Sequence, residues 1–68
     1  MATILAATLW LCIYVNNETP PRVFSVTHQD QTWASGEAHD TCWRYCLSHD
    51  CECTFKECKK WNTDESNP

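Results

Sequence analysis

The sequence predicts a small disulfide-rich fold: a short α-helix over about residues 41–49, a short β-strand or extended segment over about 51–56, and an apolar helix at the N-terminus. Three observations lead there. The chain has 68 residues, too few to hold a large apolar core without help from cross-links, a metal or a partner. Six of those residues are cysteine, a density that marks a cross-linked scaffold in so short a chain. Five of the six fall within residues 42–58, whereas the first fifteen residues carry no charged side chain.

The N-terminal element is the run Ile4-Leu5-Ala6-Ala7-Thr8-Leu9-Trp10-Leu11-Cys12-Ile13-Tyr14-Val15. Its length matches the apolar centre of an export signal and falls short of the roughly 20 residues a spanning helix needs. Residues 1–17 are therefore expected to be a signal peptide, with no stable membrane insertion once it is removed. An uncleaved apolar helix that anchors the chain or packs on a partner is the alternative. Cys12 is taken as part of this apolar segment.

Residues 18–41 have the composition of a linker or propeptide. Pro20, Pro21, Ser25, Ser35 and Gly36 punctuate them, and only Val23-Phe24-Ser25-Val26 has the content of a short strand. Asn17-Glu18-Thr19 matches the N-glycosylation acceptor pattern. Residues 42–60 form the expected cysteine-rich core, and 61–68 a polar, disordered tail.

The net charge of −4 is unevenly spread. Within 42–60, Arg44, Lys56, Lys59 and Lys60 oppose Asp50, Glu52 and Glu57, so the core is close to neutral and the acidity lies outside it. No basic stripe of the kind nucleic acid requires is present. An anionic-membrane binder would also carry more Lys and Arg.

Two spacings organise the core. Cys42 and Cys46 lie four apart, which on a helix places both on one face, with Asp40 or Thr41 as the N-cap. Cys51 and Cys53 lie two apart, which on a strand places both on one face, continued by Phe55. One helical turn advances about 5.4 Å and two strand residues about 6.7 Å, so the two pairs match in span and can close two bridges.

The CxxxC and CxC pair resembles the cystine-stabilised helix of defensin-like peptides and arthropod channel toxins, over residues 42–53. In that family the first helical cysteine bonds to the first of the CxC, which would join Cys42 to Cys51. Here only four residues separate Cys46 from Cys51, and the tight reversal leaves Cys46–Cys51 with Cys42–Cys53 at least as reachable. If Cys12 departs with the signal, Cys58 is left free or bridges to another chain, giving a disulfide-linked dimer. If Cys12 stays, three intramolecular bridges become possible.

Zinc is the rival chemistry. Cys42, Cys46, His49 and Cys51 form the alternative ligand set, on the pattern of tetrahedral Cys/His sites. His39 and His49 near cysteines also raise a Cys–His nucleophile pair, but a chain this short, with one glycine, offers no room for a substrate cleft. No enzymatic activity and no cofactor are expected. Trp43 and Phe55 are expected to cover the disulfides, and Arg44, Tyr45, Lys60 and Trp61 to form a binding patch, since large aromatics and arginine dominate interface energies. The functional expectation is a secreted, extracellular cysteine-rich peptide, toxin-like or defensive, that binds a receptor or ion channel. The alternative is a small intracellular or viral zinc-binding interaction module.

Overall fold

From Leu9 to Val15 the side chains alternate between aliphatic (Leu9, Leu11, Ile13, Val15) and aromatic or cysteine (Trp10, Cys12, Tyr14). That period of two, rich in β-branched and aromatic residues, is a strand pattern. In the computed structural model, which describes residues 8–62, it forms β1 (Thr8–Asn16); β2 (Val23–His28), α1 (Gln31–His49) and β3 (Cys53–Asn62) follow. No apolar helix occurs where one was expected within residues 8–17. Residues 1–7 of the expected signal and 63–68 of the expected tail lie outside the described residues.

The sheet is antiparallel in the order β2-β1-β3, so the strand drawn from the apolar N-terminal run is its centre. β1 pairs with β2 from Trp10 opposite His28 to Val15 opposite Val23. It pairs with β3 from Thr8 opposite Asn62 to Asn16 opposite Cys53. The β1–β3 register shifts between Ile13 and Tyr14, which face Glu57 and Phe55 and leave Lys56 as the extra residue of a bulge. The bulge reverses the alternation. Cys53 and Cys58 are five apart and would point to opposite faces of a regular strand; with Lys56 inserted, both face the helix.

The helix begins at Gln31 rather than near residue 41, the position expected from the cysteine pair. Its N-cap is Asp30 (φ −99°, ψ 119°), whose Oδ1 accepts from the Trp33 N–H at 3.1 Å; such a cap is worth about 1 kcal/mol over alanine. Asp40 and Thr41, the expected caps, are mid-helix: Asp40 pairs with Arg44, and the Thr41 hydroxyl donates to Glu37 O at 2.9 Å. One stripe of the helix is buried, Ala34, Ala38, Cys42 and Cys46, each four residues from the next. These small side chains give α1 a close approach to the sheet, and it lies mainly over β1 and β2. The helix stops at Asp50, whose φ of 56° is a left-handed conformation that Asp tolerates better than bulkier residues, and whose N–H donates to Cys46 O.

Residues 18–41, expected as linker or propeptide, are thus β2 and the first part of α1. Trp61 belongs to β3 rather than to a tail.

The core between α1 and the sheet is small: Cys12, Ala34 and Ala38 are fully buried, flanked by Tyr14, Val26 and Cys58. Three disulfides supplement it, Cys12–Cys58 across β1 and β3, Cys42–Cys53 between α1 and β3, and Cys46–Cys51 at the helix end. The second and third are nested, the pairing that the tight reversal between Cys46 and Cys51 brings within reach. Cys58 is bonded to Cys12, and no cysteine is left free.

Candidate functional site

The four residues expected to form a binding patch are not brought together. Arg44 projects from α1, largely exposed, and forms an exposed ion pair with Asp40 at 2.6 Å, an arrangement of little energetic weight. Tyr45 turns toward the sheet. Lys60 and Trp61 sit near the far end of β3 and, as strand neighbours, point to opposite faces: the Lys60 ammonium lies 5.8 Å from the Trp10 ring centre on the helix side, and Trp61 pairs with Leu9. Trp43 and Phe55, expected as covers for the disulfides, are each about half exposed. Phe55 packs edge-on against Tyr14.

Around Tyr45 the structure assembles a polar anchor for the loop of residues 17–22. The Tyr45 hydroxyl lies 3.1 and 3.3 Å from the two carboxylate oxygens of Glu18, to which it donates. The Arg22 guanidinium lies 4.7 Å from the ring centre, and the His49 ring stacks on the ring at 3.8 Å. Asn16, buried at the end of β1, holds the same loop: its Oδ1 accepts from the N–H groups of Arg22 (2.8 Å) and Glu18 (3.2 Å), and its Nδ2 donates to Glu18 Oε1 at 3.1 Å. Asn17 Oδ1 accepts from Glu52 N at 3.0 Å, tying the loop to the segment before β3. These bonds engage the Glu18 carboxylate from within the molecule, so its place in the structure is to fix the loop.

The sheet has a second face, and α1 does not touch it. Leu9, Leu11, Ile13 and Val15 point there from β1, because Cys12 and Tyr14 point to the helix. Val23 of β2, directly opposite Val15, is 60% exposed, and Trp61 of β3, opposite Leu9, is 46% exposed. Among the described residues no helix or strand packs over this row, whose four β1 side chains are half-buried. The charged side chains on it, Glu57 and Lys59, pair with each other at 3.7 Å, which leaves the face apolar along its centre and neutral at its β3 edge. The whole apolar run also fits an export segment, and that reading hides the surface in the sequence. The signal was present in the alternation of aliphatic residues at 9, 11, 13 and 15.

The sulfur atoms form another concentration. Those of Cys42, Cys46 and Cys53 lie within 4.8 Å of one another, and Cys51 joins them through its bond to Cys46. Cys46 Sγ and Cys53 Sγ are 3.8 Å apart; both are bridged elsewhere, so this is a packing contact. His49, named in the alternative zinc set, is directed away: its ring lies on Tyr45 and its Nδ1 is 2.9 Å from Tyr45 O. The fourth member of the cluster is Cys53. His39 packs on Tyr14, with ring centres 5.1 Å apart.

Comparison of the chain with known protein families, with curated proteins and with solved structures found no match. No helix among the described residues is long and apolar enough to cross a membrane.

Proposed function

We propose that this chain is an exported binding protein that engages an extracellular protein, of the receptor or ion-channel kind, through the open face of its sheet. The observation that carries the reading is the half-buried row Leu9, Leu11, Ile13 and Val15 on the central strand, over which no helix or strand packs among the described residues, flanked by the exposed Val23 and Trp61. A sheet that buries one face ordinarily presents polar side chains on the other, and a contiguous exposed apolar patch marks a contact surface. Trp61 and Val23 extend the row onto both neighbouring strands. Export is supported by the use of all six cysteines in bridges, which persist in oxidising compartments and are reduced in the cytosol. The functional form retains β1, since that strand holds both the sheet and Cys12.

In this reading the basic and aromatic residues first singled out divide in role. Tyr45 sets the loop together with Arg22, Trp61 belongs to the contact face, and Arg44 and Lys60 lie off it. The partner is expected to meet an aliphatic surface edged by the Glu57–Lys59 pair.

The test is binding of the oxidised chain to cells that display candidate receptors and channels, with Leu11→Glu and Arg44→Ala compared with the parent. Leu11→Glu should abolish binding and Arg44→Ala should leave it intact, with both variants keeping the parent's circular dichroism. Equal binding by folded Leu11→Glu and parent would remove the open face from consideration, and free thiols in the natural product would remove export.

A further inference from the structure

Four of the six sulfurs gather at the C-terminal end of α1, carried by the helix, the link after it and β3. Cys42 and Cys46 stand one turn apart on the helix, Cys53 opens β3, and Cys51 lies in the short link between the helix cap and that strand. A tetrahedral zinc centre with Zn–S bonds of about 2.3 Å has its sulfurs about 3.8 Å apart. The unbonded pair Cys46 and Cys53 already has that separation, 3.8 Å, and Cys42 lies within 4.8 Å of both. Cys51 is outside helix and strand, so its sulfur is the one with most freedom to adjust. Cys42 is fully buried and Cys46 nearly so, and Asn16 Nδ2 points at Cys51 Sγ from 3.5 Å, the kind of outer donor that orients a metal thiolate.

We propose that when the Cys42–Cys53 and Cys46–Cys51 bridges are reduced, Cys42, Cys46, Cys51 and Cys53 bind one Zn²⁺ as a tetrahedral thiolate site. Each bridge takes up two electrons and two protons from two molecules of a low-molecular-weight thiol, which leave as their disulfide. Zinc then displaces the four thiol protons as it binds. The same four residues therefore close the helix onto β3 in either redox state, by two covalent bonds when oxidised and by one ion when reduced. Cys12–Cys58 takes no part, because Cys12 lies four residues along β1 from Asn16, about 13 Å away. The inference stands apart from the partner proposed above: it concerns the form of the chain that exists before oxidation, in a reducing compartment.

The full chain, reduced by a phosphine under anaerobic conditions, is titrated with Co²⁺ and then with Zn²⁺. The expected result is one ion per chain, with the intense visible bands and thiolate charge-transfer absorption of tetrahedral cobalt, bleached stoichiometrically by zinc. Cys51→Ser and Cys53→Ser should each lose that spectrum, whereas His49→Ala should keep it. Oxidised glutathione should release the zinc as the two bridges re-form. Absence of a one-to-one complex overturns the proposal, as does a tetrahedral thiolate spectrum that survives Cys51→Ser and Cys53→Ser or disappears in His49→Ala.

Discussion

Cys12 and Cys58 face each other directly across β1 and β3, and their bond closes a loop spanning a sequence separation of 46. It is the one bridge that ties the N-terminal strand to the C-terminal strand; the other two span separations of only 11 and 5 and fasten the helix to the chain that follows it. Cys12 is also a member of the small core under α1. The residue that anchors the sheet covalently is thus the residue on which the helix rests.

Loss of this bridge should therefore cost the most. From loop-closure entropy, the separations of 46, 11 and 5 correspond to about 4, 3 and 2 kcal/mol respectively. We expect the Cys12→Ser, Cys58→Ser double variant to have a lower urea midpoint than the Cys46→Ser, Cys51→Ser double variant. The reverse order in equilibrium unfolding would show that local contacts at the helix end, rather than chain topology, dominate the stability.

The second prediction concerns the central strand. β2 and β3 do not pair with each other; each is hydrogen-bonded to β1 alone. A chain starting at Glu18 loses the partner of both strands and leaves Cys58 without Cys12. It should lack a cooperative unfolding transition and the amide dispersion of a sheet in NMR spectra. A folded truncated chain with the parent's dispersion would mean that residues 8–16 are dispensable, as expected of a signal peptide.

What the sequence made legible follows from the strength of each local signal. The Cys42–Cys46 and Cys51–Cys53 spacings located the C-terminal part of α1 and the start of β3, because a four-residue and a two-residue repeat have direct geometric meaning. The same reasoning left two pairings open, and the turn at Asp50 selects the nested one by returning Cys51 beneath Cys46, where its N–H bonds to Cys46 O at 3.3 Å. The first half of the helix was hidden because its buried stripe consists of Ala34 and Ala38, which contribute little to an apolar pattern, and because Gly36, an unfavourable helix residue, interrupts it. β1 was hidden for a different reason: a short, uncharged apolar run has the same composition whether it becomes a strand or an export segment. The role of Cys58 needed the bulge at Lys56, which depends on pairing between distant strands and has no local signature. Arg44, Tyr45, Lys60 and Trp61 do not gather on one surface, since Lys60 and Trp61 are sequence neighbours that the strand sends to opposite faces.

Asn16 provides the third prediction. It is a buried polar side chain, 4% exposed, at the end of the central strand. Its backbone N–H donates to Arg22 O at 3.1 Å, and its carboxamide serves as both acceptor and donor to the loop of residues 17–22 and as a donor toward Cys51. Alanine here leaves the N–H groups of Glu18 and Arg22 without their acceptor, at about 1–3 kcal/mol for each that stays out of reach of water. Aspartate keeps the acceptor but replaces the donor to Glu18 with a second carboxylate, setting two negative charges against each other. Both variants should lower the urea midpoint and speed amide exchange at Glu18 and Arg22, with Asn16→Asp regaining more stability than Asn16→Ala as salt is raised, because only its loss contains a charge–charge repulsion. Parent-like exchange at those two amides in Asn16→Ala would show that solvent replaces the side chain without penalty, and that the loop is held by Tyr45 and Glu18 alone.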